Sequence, residues 1–299
     1  MKKLTEKQKK KLISFILAVV ILIVSYIITE IEESNKNIPD IDTSLDTMAV
    51  HYIDADQGDA IFIELPQNRS MLIDASTNSQ EQTVIDFISE LGYSYIDYVI
   101  ATHPHEDHIG GMDGVLNTFK VGKFYLPNDV ATTKTYEKML EAVENNGAKV
   151  IEAKSGISII SEENLSVDIL SPILVHAEEY GDDHNAWSVI CKLTYGENTF
   201  MFTGDAEAET ESFLEGDLQS DVLKVGHHGS STSTSEEFFY KVDPKIAVIS
   251  CGVDNDYGHP HDEIMALLER ENVKIYRTDI SGNITVTSNG NVLDVITEK

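Results

Sequence analysis

Between residues 48 and 299 short apolar runs alternate with longer stretches in which apolar positions recur at helical spacing. The runs predict strands over 49–54, 60–65, 70–74 and 96–101. Further strands are predicted over 165–170, 188–195, 199–203, 221–225, 246–250 and 274–277, with a closing pair over 282–287 and 292–296. Helices are predicted over 80–92, 112–119 and 133–146. In the last of these Tyr136, Met139, Leu140 and Val143 share a face, and Gly147 supplies the stop. No segment repeats, and none is of low complexity. The pattern is that of one mixed α/β domain spanning 48–299.

Upstream the pattern changes. Lys2, Lys3, Lys7, Lys9, Lys10 and Lys11 precede an uncharged apolar run over 12–28. As a helix rising about 1.5 Å per residue the run would span about 25 Å, the short end of a membrane crossing. This predicts a cytoplasmic basic segment at 1–11, a single transmembrane helix at 12–29 and a polar linker at 30–47. Tyr26-Ile27-Ile28-Thr29-Glu30-Ile31 offers no small-residue cleavage site, so the segment reads as an uncleaved anchor. No cysteine follows the run, which argues against lipoprotein processing. The lysine cluster should stay inside, giving a single-pass cell-membrane protein whose domain is extracytoplasmic.

Charge narrows the partners. The chain carries 22 basic and 51 acidic residues; setting aside the six N-terminal lysines and Glu6 leaves 16 against 50, a net −34 over residues 30–299. A body this acidic repels polyanions unless bound metal ions or a local basic patch offset the field. Cys191 and Cys251, the two cysteines, both lie in apolar runs and read as buried free thiols.

Candidate chemistry gathers at the predicted strand ends, where loops on a rigid scaffold build sites. The strand over 96–101 runs into Thr102-His103-Pro104-His105-Glu106-Asp107-His108-Ile109-Gly110-Gly111. Imidazole nitrogen and carboxylate oxygen form the ligand set of zinc and its neighbours. His103 and His105 can point to one side of this loop while Asp107 and His108 point to another, which serves two ions. Thr203-Gly204-Asp205 places a carboxylate at a strand end from which it could bridge two ions. Val225-Gly226-His227-His228-Gly229-Ser230 ends another strand, and Tyr257-Gly258-His259-Pro260-His261 follows a third.

In these motifs the chain resembles the metallo-β-lactamase superfamily, whose H-x-H-x-D-H block matches His103, His105, Asp107 and His108. Within it the chain is similar to the extracellular hydrolase domain of ComEC-type competence proteins. That likeness rests on Ile53-Asp54-Ala55-Asp56-Gln57-Gly58-Asp59-Ala60 followed by Leu72-Ile73-Asp74, on Thr203-Gly204-Asp205, and on the double histidine at 227 and 228. It runs from about residue 49 to 295. The resemblance implies a four-layer αββα sandwich holding two divalent metal ions, zinc or manganese, at one edge. His103 and His105 with Asp205 would hold one ion. Asp107 and His108, sharing Asp205, would hold the second, with a further ligand from His227, His228 or His259. The superfamily's third motif supplies a histidine where this chain has Asp182-Asp183-His184-Asn185-Ala186-Trp187-Ser188. There the ComEC-like pattern keeps Asn185 and Ser188, and His184 is the alternative ligand. Asp59 and Asp74 either orient ligand imidazoles or simply form turns.

The function implied is a metal-dependent hydrolase of a phosphate ester or diester, with nucleic acid or a phosphorylated envelope polymer as substrate. Two ions bring a bridging water toward a pKa of about 7 and clamp attacking and leaving oxygens. Asp107 can orient that water, and whichever of His227 and His228 is free of metal can donate a proton to the leaving oxygen. Two other classes stay open: an ester, lactone or amide hydrolase, and a non-catalytic metal-bound binding module. ComEC proteins also carry a multi-span channel domain, whereas this chain has one apolar run, so a role in DNA uptake does not transfer. No stable protein partner can be inferred.

Overall fold

Strand pairing in the computed structural model, which describes residues 46–299, divides the domain into two sheets. The basic segment, the apolar run and the linker up to residue 45 lie outside the described residues. Among the described residues no helix is long and apolar enough to cross a membrane.

The first sheet begins with β1 (Met48–Tyr52), β2 (Ile61–Leu65) and β3 (Arg69–Ile73), which pair antiparallel. It continues in parallel through β4 (Tyr95–Ile100), β5 (Lys120–Leu126) and β6 (Lys149–Glu152). The second sheet follows the same plan. β7 (Ser158–Ser161), β8 (Leu165–Ser171), β9 (Ile190–Tyr195) and β10 (Asn198–Phe202) are antiparallel. β11 (Val222–Lys224), β12 (Ile246–Ile249) and β13 (Lys274–Arg277) then extend it in parallel. The hairpin β14 (Ile284–Ser288) and β15 (Leu293–Thr297) returns to the first sheet beside β1.

Alternation along the strands explains the layering, because successive side chains point to opposite faces. On β10, Phe200 and Phe202 enter the core between the sheets, while Met201 packs under the outer helices with Leu214, Leu223 and Phe238. On the first sheet Ile61 and Ile63 face that same central core, and Phe62 faces the helices at Glu81–Glu90, Met112–Thr118 and Lys134–Asn146. Helices, two sheets and helices thus form the four-layer sandwich. Both cysteines are free and buried, as expected.

The helix Lys134–Asn146 is bounded as predicted. Thr133 caps it by accepting from the Tyr136 N–H, and Gly147 ends it at φ 73°. Leu140 does not share the buried face; it is 40% exposed. The reading over 188–195 starts too early, since Ser188 belongs to a loop and β9 begins at Ile190. β5, β6 and β7 and the helices Glu236–Val242 and Asp262–Arg270 were not anticipated. β6 is a four-residue strand whose Lys149 and Val150 are exposed, so it carries little apolar signal.

The consequence for function is positional. β3, β4 and β5 are parallel to one another, as are β10, β11 and β12. Their carboxyl ends lead into Asp74, the His103 loop and Asp129 on one side, and into Asp205, His227 and the His259 loop on the other. Crevices outside the carboxyl ends of parallel strands are where α/β proteins build sites.

Candidate metal centre

Turns in the left-handed region deliver side chains from both sheets. His227 (φ 48°) and His228 (φ 54°) are consecutive non-glycine residues in the left-handed region, a conformation that costs energy and persists only where surrounding structure holds it. Asp74, directly after β3, has φ 58°. Asp205 follows Gly204 (φ 52°), where a Cβ would sit 3.1 Å from the Thr102 side chain. A side chain there would be both strained and tightly packed, so glycine eases the approach of the two strand ends.

One ligand atom from each of Asp107, His108, Asp205 and His228 lies within 4.8 Å of the others. Hydrogen bonding sets which way these imidazoles face. Asp74 accepts from the Thr102 backbone N–H at 2.8 Å and hydroxyl at 2.6 Å, and its Oδ2 is 2.7 Å from His108 Nδ1. The carboxylate can only accept, so the proton is on Nδ1 and Nε2 turns its lone pair toward Asp205 Oδ1, 3.1 Å away. His228 repeats the arrangement. Its Nδ1 is 3.0 Å from the Ser250 carbonyl and 3.5 Å from Asp59 Oδ1, leaving Nε2 3.3 Å from Asp107 Oδ2 and 3.6 Å from Asp205 Oδ2.

Acceptors thus face acceptors. His108 Nε2, His228 Nε2 and Asp205 Oδ1 are buried without a hydrogen-bond partner, a condition that costs about 1–3 kcal/mol per group. A positive species between them removes that cost, and a divalent cation fits both the donor set and the convergence. A proton is the other answer, and the titration directions agree. Burial lowers the pKa of His108, but Asp205, Asp74 and Asp107 outweigh it and hold it well above its ordinary value. His228 is likewise raised, burial again opposing and Asp205 and Asp107 prevailing. Burial raises Asp107 and Asp205, yet the imidazoles, His108 foremost, hold both below the usual carboxylate range.

The His103 side is built differently. The Thr102 hydroxyl spends its proton on Asp74, so it accepts from His103 Nδ1 at 3.1 Å; Ser188 Oγ is 3.3 Å from the same nitrogen. His103 Nε2 then lies 3.0 Å from His105 Nδ1 and 3.9 Å from Asp205 Oδ2. Burial, reinforced by His108, pushes the His103 pKa well down, and burial lowers His105 too. His184 stands edge-on to His105 at 5.5 Å between ring centres, but its Nδ1 is engaged by Asp129 Oδ2 at 2.7 Å. Asn185 is buried, with its Oδ1 unpartnered and its amide 3.5 Å from Glu207 Oε1.

His227 and His259 lie outside the four-residue cluster. His227 is partly exposed, with Nε2 3.6 Å from Asp205 Oδ2 and Nδ1 near Glu207 Oε1 (3.4 Å) and the Thr232 hydroxyl (3.2 Å). The His259 ring is 5.6 Å from that of His227, its Nδ1 is 3.5 Å from the Gln57 amide, and burial followed by repulsion from His228 lowers its pKa to about 4. Sequence reading passed over Thr102, Asp129, Glu207 and the wholly buried Lys224. Lys224 had a signal, a lone basic residue inside the apolar run Val222-Leu223-Lys224-Val225.

With this geometry in place, comparison with known proteins is decisive. The family model of the metallo-beta-lactamase superfamily matches residues 53–253. The chain belongs to the metallo-β-lactamase superfamily. It is 34% identical over 255 residues to ComE operon protein 3 of Bacillus subtilis (strain 168), covering 79% of this chain and 32% of that protein. Competence protein ComA of Neisseria gonorrhoeae is 29% identical over 242 residues, covering 78% and 31%. The chain therefore spans about a third of the length of these relatives, and the likeness to ComEC-type competence proteins read from the motifs holds for that third. Among solved structures, CmlA, a diiron beta-hydroxylase from Streptomyces venezuelae, superposes with TM-score 0.52 at 13% identity, covering 80% of this chain and 53% of that one. That likeness concerns the fold alone. The domain is a metal-dependent hydrolase of this superfamily, with a candidate His/Asp site for two ions.

Proposed function

We propose that the chain is a membrane-anchored phosphoesterase or phosphodiesterase, held outside the cell by a single span over 12–29. One observation carries the catalytic reading: the buried carboxylate of Asp205 presents Oδ1 to His108 and Oδ2 toward His103, His227 and His228. A carboxylate so placed would bridge two ions. His103 and His105 would hold the first; Asp107, His108 and His228 would hold the second. Two divalent ions there, zinc or manganese, would acidify a water and polarise a phosphoryl oxygen.

The remaining work falls to the protein's own groups. Asp107, with Oδ2 directed to His228, orients the attacking water. His227 is the partly exposed imidazole and keeps Nε2 toward the centre; it donates a proton to the leaving oxygen, with Thr232 and Glu207 steadying Nδ1. Asp74 holds His108 in register, and the Ser250 carbonyl, with the Asp59 carboxylate beside it, holds His228.

The substrate reading weighs two facts. The relatives bear competence names, which supports a nucleic acid diester as the first substrate to test. The loops over 54–60, 74–80, 101–111, 127–133, 171–189, 203–211, 225–235 and 250–262 contain no lysine or arginine. Attraction of a polyanion would rest on the bound ions alone, and a compact phosphorylated envelope unit fits that rim better. The full chain in detergent, loaded with zinc or manganese, is expected to hydrolyse bis(p-nitrophenyl) phosphate and, less readily, single-stranded DNA. Turnover unchanged in both Asp107→Ala and His105→Ala would sink the proposal.

A further inference from the structure

Lys224 ends β11 with no exposure to solvent at all. A wholly buried ammonium is costly unless paired and hydrogen-bonded. Its Nζ lies 2.9 Å from Asp59 Oδ2 and donates to the Val225 carbonyl at 3.0 Å. Asp59 is itself buried, and its other oxygen, Oδ1, has no hydrogen-bond partner and lies 3.5 Å from His228 Nδ1. The same aspartate is pinned through its backbone: its N–H donates to the Asp107 carbonyl at 3.1 Å and its carbonyl accepts from Ser76 at 2.8 Å. Preceding it, Gly58 leaves no room for a side chain, since a Cβ would meet the Asp107 carbonyl at 2.5 Å.

From this we infer that Lys224 is a positioning residue for the second ion, acting through Asp59. The pair does two things that neither residue does alone. Lys224 holds the Asp59 carboxylate in place 3.5 Å from His228 Nδ1, behind the proton that the Ser250 carbonyl at 3.0 Å fixes on that nitrogen, so the ring is backed on this side while Nε2 turns toward Asp107 and Asp205. The ion pair also locks the Asp59 turn, whose backbone grips the Asp107 loop, so two ligands on different sheets are set by one contact. His108 achieves the same orientation with Asp74, where the partners are the Thr102 N–H and hydroxyl. The Lys224 arm is therefore the charged counterpart of a neutral one.

This inference rests on His228 being a ligand, and the test separates the two. Lys224→Met alone strands a buried carboxylate and is expected to fold poorly, so the informative variant is the neutral pair Asp59→Asn with Lys224→Met. The full chain is titrated with cobalt(II), following visible absorption and competition against a chelator, and the ion-free melting temperature is recorded. Wild type is expected to take two ions. The neutral pair is expected to melt within a few degrees of wild type but to bind one of the two ions about 10–100-fold more weakly, with an altered cobalt spectrum. Restoring Asp59 alone or Lys224 alone should not recover that affinity. Wild-type affinity and spectrum in the neutral pair would overturn the role of Lys224 while leaving the metal reading intact. Failure of wild type to bind cobalt would overturn both.

Discussion

His103 and His108 leave one loop five residues apart and turn toward the same carboxylate, Asp205, yet they are backed differently. Behind His108 stands a buried carboxylate, Asp74, and across the centre His228 has Asp59 and, beyond it, Lys224. Behind His103 stand only the Thr102 and Ser188 hydroxyls, and the nearby His184 is drawn toward Asp129. A carboxylate behind an imidazole raises its basicity and fixes its tautomer; a hydroxyl fixes orientation with little charge. On the proposed two-ion reading the two positions would not be equivalent: the His108 side would hold its ion more tightly than the His103 side, which lacks a carboxylate behind its imidazole.

The hardest test removes what both sides share. Asp205→Ala is expected to abolish binding at both positions and to cut turnover more than about 100-fold, beyond the usual effect of losing an indirect contact; mass spectrometry of the native protein counts the ions. Next, His108→Ala should lose the tighter ion and His105→Ala the weaker one, so stepwise titration should lose its first phase in one variant and its second in the other. Equal loss of both phases in each variant would erase the asymmetry. Asp74→Asn should weaken the tighter ion by about 10–100-fold, whereas Ser188→Ala should alter the weaker one by less.

Protons give a smaller, graded test. His108 and His228 have raised pKa values in the ion-free fold. Their contribution to ion-free stability is fully present below about pH 6.5 and is lost as pH rises through the raised values. The chelated protein should therefore melt progressively lower from about pH 6.5 upward. Ion affinity should move the other way, rising over the same interval because the incoming cation must displace those protons. The smallest expected effect is that of His184→Ala. If Asp129 keeps that imidazole, the ion count stays at wild type, and loss of the weaker ion would instead make His184 part of its shell.

Much of the fold was readable because its strands are apolar on two faces or strictly alternating. The elements that escaped were short or exposed: β6 has four residues, and the helix Glu236–Val242 makes two turns, announced only by the Ser235 cap. The site was readable in pieces. His103, His105, Asp107 and His108 are contiguous, and Asp205, His227 and His228 sit at strand ends that hydrophobic runs reveal. What could not be read was the sorting of His227, His228 and His259, because that depends on backbone torsion at 227 and 228 and on which ring is buried against Asp107.

The chain's pattern thus specified a mixed α/β domain, most of its strand ends and the identity of the donors, since periodicity and residue chemistry are local properties, while the four-layer arrangement was implied by the family resemblance of the motifs. How the donors divide depends on contacts between distant segments. Pairing Asp74 with His108, Lys224 with Asp59 and Asp129 with His184 joins residues 34, 165 and 55 positions apart. No local rule encodes such contacts. They follow from two sheets bringing their parallel strand ends to one edge, where a buried charge must find a partner wherever the chain supplies one.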